Sequence, residues 1–140
     1  QTSDVTPELI NELIVKFPPT EDNPDWDLEK AIKFVSNTQN YLFIGYVDGE
    51  IAAYTYGYDN DRFDSKKEYF IYEVGTADRF QRQGVMREVF RVMNELLKQE
   101  GFVNAWVLAD KSNEIANKFY QAVGGKFSGE ESIMYDFKID

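Results

Sequence analysis

The sequence predicts a single α/β domain with a mixed central sheet and flanking helices. Its 140 residues suffice for one hydrophobic core. Hydrophobic periodicity and turn signals give the order α-α-β-β-β-α-β-α-β, without internal repeats or linkers. The strand–helix–strand unit from Tyr69 to Leu108 should pair its two strands in parallel through a right-handed crossover.

Two helices are predicted before the first strand. Thr6 is a good N-cap, and the proline and glutamate after it suit a first helical turn, so a helix should run from Pro7 to Lys16. A pair of prolines then ends it. Asp25 is predicted to cap a second helix that continues to about Val35.

A β-hairpin and a third strand should follow. The apolar stretches Tyr41 to Val47 and Ile51 to Tyr58 flank Asp48-Gly49, a dipeptide typical of two-residue hairpin turns. After a polar loop, Tyr69 to Thr76 is the third predicted strand.

The second half alternates helices and strands. Apolar positions recur at helical spacing from Gly84 to Glu100, and Gly101 suits the C′ position. We expect a strand from Val103 to Leu108, a helix from Asn113 to Val123, and a last strand from Ile133 to Ile139.

The amino-acid composition excludes several kinds of catalytic and metal-binding site. The chain has no cysteine and no histidine, which excludes disulfides, a thiolate nucleophile, a Ser-His-Asp triad and His or Cys metal ligands. We expect no metal site and no membrane span, since no apolar run approaches the ~20 residues that a span needs. The first residues lack the features of a signal peptide, so we expect a cytoplasmic protein.

The net charge of −10 makes nucleic-acid binding improbable and favours a cationic partner. The alternative is that the acidity only keeps the protein in solution.

A cluster of arginines stands out in this acidic chain. Arg79, Arg82, Arg87 and Arg91 surround Gly84, where a strand should lead into a long helix. Exposed N–H groups at a helix start, together with guanidinium groups, favour phosphate or pyrophosphate binding. The segment is neither a Walker loop nor a Gly-x-Gly-x-x-Gly motif. The alternative is an ordinary glycine loop with arginines on a solvated helix face.

Two motifs resemble those of the GNAT superfamily of N-acetyltransferases. The run Gln81-Arg82-Gln83-Gly84-Val85-Met86 is similar to the family's pyrophosphate loop, and Asn113 to Gly124 is similar to its Asn-x-x-Ala-x-x-aromatic-Tyr-x-x-x-Gly helix. The resemblance implies a sheet of about six strands, with a parallel pair splayed at the cofactor site. Within the superfamily, the chain most resembles the aminoglycoside 3-N-acetyltransferases, which act in antibiotic resistance. The residues that carry this resemblance are Ile71-Tyr72-Glu73-Val74, Arg82-Gln83-Gly84, and Ala109-Asp110 followed by the helix with Tyr120.

The resemblance implies acetyl-coenzyme A as the acetyl donor. The residues that it assigns to the coenzyme are Val74, Gly75, Thr76, Gln81, Arg82, Gln83, Gly84, Val85, Met86, Arg87, Asn113, Ala116 and Phe119. The N–H of Val74 or Gly75 would face the developing oxyanion. Met86 departs from the family pattern, which has a small residue there, so its side chain must turn away from the phosphates. Taken alone, Gly75 indicates a bulge, a close backbone approach or a weak strand end, and Asn113 suits a helix start.

Two residues are candidates for catalysis. Glu73 interrupts an apolar strand, and a carboxylate is what remains to take the amine proton when histidine is absent. It could instead anchor the amine or pair with an arginine. Tyr120 matches the family's tyrosine beside the coenzyme sulfur, whose hydroxyl can protonate the departing thiolate. Without the resemblance, Tyr120 would be interpreted as a core aromatic residue.

Acidic side chains are candidates for binding the acceptor. The resemblance implies that Asp110 contacts the substrate, although it could equally cap the next helix. Asp25 and its acidic neighbours Glu21, Asp22 and Asp27 could bind a polycationic amine, or simply cap the second helix.

The function predicted is acetylation of an aminoglycoside or similar polycationic amine by direct attack in a ternary complex. The alternatives are another small amine, a protein amine, or a non-catalytic coenzyme A-binding module. A homodimer is compatible with the resemblance.

Overall fold

The computed structural model describes residues 4–20 and 25–139. The elements within those ranges are the helices α1 (Pro7–Lys16), α2 (Leu28–Ser36), α3 (Val85–Gln99) and α4 (Glu114–Ala122), and the strands β1 (Asn40–Val47), β2 (Glu50–Asp59), β3 (Glu68–Thr76) and β4 (Asn104–Val107). The chain forms two compact units, residues 1–108 and residues 109–140.

The first unit is built on a mixed four-stranded sheet with the order β1-β2-β3-β4. The pairs β1/β2 and β2/β3 are antiparallel, and β3/β4 is parallel, which confirms the predicted parallel pair. The hairpin turn has positive φ at both Asp48 (50°) and Gly49 (80°), the geometry that matches the twist of the strands.

Side chains alternate between the two faces of the sheet along β2, and buried residues therefore lie on both faces. A helix covers each face. On one face, Leu13 of α1 packs against Tyr54. The adjacent Ala53 lies opposite Gly45 in the register, on the other face, and there α3 approaches closely. A Cβ atom on Gly45 would lie 2.8 Å from Cγ2 of Val89, so glycine allows α3 to pack onto β1.

The helix starts differ in one respect that matters for the site. Side chains of Thr6, Asp27 and Asn113 accept N–H hydrogen bonds at the starts of α1, α2 and α4. The predicted capping of α2 by Asp25 is therefore wrong, because Asp27 occupies that position. The N-cap of α3 is Gly84, in the left-handed conformation with φ of 79°, and no side chain caps this helix.

The predicted last strand, Ile133 to Ile139, is wrong. None of residues 126–139 belongs to a strand, and the side chains of Ile133 and Ile139 are 78% and 92% exposed. Alternating apolar residues favour a strand, but a strand also needs a partner for its backbone groups. The described sheet has four strands, whereas the periodicity predicted five and the family resemblance implied about six.

Within the described ranges, no helix combines the length and the apolar character needed to cross a bilayer.

Candidate active site

The carboxylate of Glu73 lies where β3 and β4 separate. The parallel pairing ends at Ile71 opposite Val107, whereas β3 continues to Thr76. In the antiparallel ladder with β2, Glu73 lies opposite Tyr56, but Ile71 lies opposite Gly57, which leaves Tyr72 as an extra residue. This β-bulge can re-aim the neighbouring side chains.

Both oxygen atoms of this carboxylate accept hydrogen bonds from β2. The Tyr54 hydroxyl donates to Oε1 of Glu73 at 2.5 Å, and the Tyr56 hydroxyl donates to Oε2 at 2.6 Å. Thr55, which is fully buried, donates from Oγ1 to the Glu73 carbonyl at 3.0 Å. The strand β2 therefore holds both the backbone and the side chain of Glu73.

Tyr56 is suited to be a permanent donor. Burial, followed by its hydrogen bond to Glu73, raises the pKa of the hydroxyl well above its usual range. The phenol therefore stays protonated and donates to the carboxylate.

The predicted coenzyme residues Val74, Gly75 and Thr76 lie on β3 beyond the last pair with β4. Gly75 has a specific packing reason, because a Cβ atom there would lie 2.4 Å from Cε1 of Tyr54. The sequence suggested a bulge or a close backbone approach at Gly75. The structure places a tyrosine ring beside it instead, and the bulge lies at Tyr72.

The loop after β3 exposes the start of α3. Arg82 and Gly84 both have positive φ, 62° and 79°. The side chain of Gln83 donates to the Arg79 carbonyl at 2.7 Å, and that of Gln81 donates to the Thr76 carbonyl at 3.4 Å. The two glutamines therefore shape the loop with their side chains.

The first turn of α3 presents backbone donors. The first hydrogen bond within the helix runs from the Glu88 N–H to the Gly84 carbonyl at 3.1 Å, which leaves the N–H groups of Val85, Met86 and Arg87 without partners in the helix. A Cβ atom on Gly84 would meet no heavy atom within 4 Å, so the space beside these donors is open. Met86 is only 8% exposed; its side chain lies in the core, as its place in the motif required.

The arginines of the basic cluster separate into two groups. Arg79 pairs with Glu50 at 2.6 Å, and Arg91 pairs with Glu88 and Glu95 at 2.6 Å each. The guanidinium groups of these two arginines are thus engaged in ion pairs. The other two, Arg82 and Arg87, are exposed and form no ion pair with any described residue.

The remaining predicted residues belong to the second unit. Asn113 is the N-cap of α4, where its Oδ1 accepts from the Ala116 N–H at 3.1 Å. Asp110 forms a turn in which Oδ1 accepts from the N–H and the hydroxyl of Ser112, and these bonds lower the pKa of its carboxyl. It is therefore not the cap of α4, which was the alternative prediction for this residue.

Tyr120 lies on α4, with its ring 5.5 Å from that of Phe119, and burial raises the pKa of its hydroxyl. Its hydroxyl therefore keeps its proton over the whole physiological range.

The acidic loop before α2 has a partly structural role. Asp27 caps the helix, accepting from the Lys30 N–H at 2.8 Å, and Asp25 is exposed. Glu21 and Asp22 lie outside the described residues. No group of three or more acidic side chains that could hold a metal ion occurs in residues 4–20 and 25–139.

Tyr54 and Tyr56 are the residues that sequence reasoning missed. A signal was present, because they alternate on the strand predicted to lie beside Glu73. What the sequence lacked was the β2/β3 register, which decides which tyrosine faces which residue.

Solved structures share this fold. An aminoglycoside acetyltransferase from an uncultured soil metagenomic sample, meta-AAC0020, solved in complex with sisomicin, matches with a TM-score of 0.84 and 20% identity over 99% of this chain and 92% of that one. The aminoglycoside antibiotic 6'-N-acetyltransferase AAC(6')-Ih from Acinetobacter baumannii matches with 0.78 and 14% identity over 97% and 96%. AAC(6')-Iy in complex with the bisubstrate analog CoA-S-monomethyl-acetylneamine matches with 0.73 and 16% identity over 92% and 87%.

These neighbours do not confirm the 3-N type that the sequence suggested, since AAC(6')-Ih is a 6'-N-acetyltransferase. The search of curated proteins found no match. The sequence profile of the acetyltransferase (GNAT) family, however, matches residues 6–124. The chain is thus a member of the acetyltransferase (GNAT) family.

Proposed function

We propose that this protein transfers the acetyl group of acetyl-coenzyme A to a primary amine of an aminoglycoside or a similar polycationic amine. The observation that carries the proposal is the uncapped start of α3, which is joined by the loop of residues 77–84 to the strand that bears Glu73. The N–H groups that can bind an anion and the Glu73 carboxylate that can bind an amine therefore belong to one continuous segment of the chain.

The residues at the start of α3 fit a pyrophosphate. The N–H groups of Val85, Met86 and Arg87 can donate to phosphate oxygens, and the helix dipole favours the negative charge. The guanidinium groups of Arg82 and Arg87 add charge-assisted hydrogen bonds. When bound, acetyl-coenzyme A supplies an acetyl thioester.

Backbone groups of Val74, Gly75 and Thr76 would bind the pantetheine arm along β3 beyond the end of its pairing with β4. The family resemblance also assigns Asn113, Ala116 and Phe119 of the α4 segment to the coenzyme. While Oδ1 of Asn113 accepts the hydrogen bond that caps the helix, its Nδ2 group can donate to the ligand.

Glu73 would receive the amine. Its carboxylate, which two tyrosine hydroxyls of β2 hold, would accept hydrogen bonds from the ammonium group of the acceptor. The ammonium would lose one proton to Glu73, directly or through water, and the neutral nitrogen would form the new bond to the acetyl carbon. The second proton that this nitrogen loses on becoming an amide balances the one that the leaving sulfur takes up. An N–H of Val74 or Gly75 stabilises the negative charge that develops on the carbonyl oxygen.

The bond from carbon to sulfur then breaks, and the sulfur leaves with the electron pair. Tyr120 would protonate this thiolate. Burial raises the pKa of its hydroxyl, so the tyrosine holds its proton until the thiolate forms.

A polycationic acceptor is supported by the net charge of −10 and by the exposed carboxylates of Asp25 and Asp110. It is also supported by the neighbour solved with sisomicin, since that ligand belongs to a complex of the same fold. Whether the 3-amino or the 6'-amino group reacts is determined by identifying the acetylated nitrogen in the product.

The test is a thiol-release assay with acetyl-coenzyme A and a panel of amines: aminoglycosides, a linear polyamine, amino acids and a peptide with a free amino terminus. We expect saturable turnover with aminoglycosides, and NMR of the product identifies the acetylated nitrogen. Turnover only with the peptide would refute the acceptor class. Failure of acetyl-coenzyme A to raise the melting temperature would refute the whole proposal.

A further inference from the structure

We infer that Tyr54 and Tyr56 are positioning residues that orient the Glu73 carboxylate for the amine. This inference rests on the proposed function and adds two residues to it. The β-bulge at Tyr72 places Glu73 on the same face of the sheet as the two tyrosines.

Each carboxylate oxygen has its own tyrosine donor. The distances, 2.5 Å from Tyr54 and 2.6 Å from Tyr56, are those of charge-assisted O–H···O⁻ bonds. Two donors that come from alternate positions of one strand fix both the position and the rotation of the carboxylate plane.

The two donors are themselves immobilised by ring packing. The ring of Tyr54 lies 4.6 Å from that of Phe17 and 5.0 Å from that of Trp26, and Tyr54 is only 2% exposed. The ring of Tyr56 lies 5.4 Å from Phe34 and stacks at 5.5 Å on Tyr72.

The space that Tyr54 needs is provided by Gly75, since any side chain there would collide with its ring. The aromatic residues and this glycine therefore hold the hydroxyl groups rigidly, as a supporting shell for a reacting group must be held.

The test is a double-mutant cycle on amine acetylation. Tyr56→Phe and Tyr54→Phe keep the rings and remove the hydroxyls, and we expect each to lower kcat/KM for the amine about tenfold, the value of one hydrogen bond to a charged group. The Kd of coenzyme A should not change. In the Glu73→Gln background the same two substitutions should have little further effect, because no carboxylate remains to be oriented.

The matched control is Tyr58→Phe. Tyr58 lies on the same strand, packs against Phe70 with ring centroids 5.3 Å apart, and its hydroxyl has no hydrogen-bond partner among the described residues. We expect it to keep the activity of the wild type.

The outcomes separate the two proposals. If the wild type acetylates amines and the tyrosine effects are additive with Glu73→Gln, the tyrosines only contribute to packing and the inference is wrong. If the wild type acetylates no amine, the proposed function fails, and the inference fails with it.

Discussion

Two glycines at opposite ends of α3 allow the anion site to be tested with a matched control. Gly84 precedes the helix with φ of 79°, and Gly101 follows it with φ of 84°. A Cβ atom at either position would meet no heavy atom within 4 Å. Alanine therefore introduces the same backbone strain at both ends, and only Gly84 adjoins the N–H groups that would bind the pyrophosphate.

The cost in stability should be equal for the two variants. The left-handed conformation costs a residue with a Cβ atom about 1–2 kcal/mol, and alanine recovers part of this by restricting the unfolded chain. We expect the free energy of unfolding to fall by about 1 kcal/mol in each case. For a chain of 140 residues, this lowers the melting temperature by about 3 °C.

The two variants should differ in their affinity for coenzyme A. In Gly84→Ala the added methyl group occupies the open space beside the first turn of α3, so phosphate oxygens lose hydrogen bonds to the N–H groups. We expect Kd, measured by titration calorimetry, to rise about tenfold or more, the value of a hydrogen bond to a charged group. Gly101→Ala should bind like the wild type. Equal Kd values for the two variants would refute the assignment of this site.

Four further predictions concern catalysis and stability. Glu73→Gln should lower kcat/KM for the amine about 10²-fold with unchanged coenzyme binding; an active Glu73→Gln beside an inactive Asp110→Asn would move the base or anchor to Asp110. Tyr120→Phe should lower kcat by a smaller factor and leave amine affinity unchanged, which steady-state kinetics measures. Initial-rate plots should intersect, because without cysteine the chain has no thiol to carry an acetyl group, and parallel lines would contradict a ternary complex. The hydrogen bond from Lys16, more than the charge of Arg79, lowers the pKa of Glu50. The ionised Glu50 carboxylate should therefore stabilise the fold fully above about pH 4.3, its pKa in the unfolded chain. This stabilisation should be lost as the pH falls through the lower pKa of Glu50 in the folded protein. Melting curves should show Glu50→Gln less stable than the wild type at pH 7 but not at acidic pH.

Local sequence determined most of the helices and the hairpin. The cap at Thr6, the proline after it and the apolar spacing fix α1 as predicted, from Pro7 to Lys16. The turn at Asp48-Gly49 and the helix end at Gly101 likewise follow from positive φ. These features depend on neighbours within a few residues, so the sequence contains all the information needed. The start of α3 is of the same kind, because Gly84 provides the left-handed cap by itself.

The tertiary structure decided what depends on pairing between distant segments. The alternation from Ile133 to Ile139 did not produce a strand, since none of the described strands pairs with it. Asp25 and Asp27 were both possible caps, and the helix geometry selected Asp27.

The environment of Glu73 depends on the β2/β3 register and its bulge, which bring Tyr54 and Tyr56 to the two oxygen atoms of one carboxylate. A shift by one residue would turn both tyrosines to the other face. No local pattern fixes that register, because it results from packing over the whole sheet.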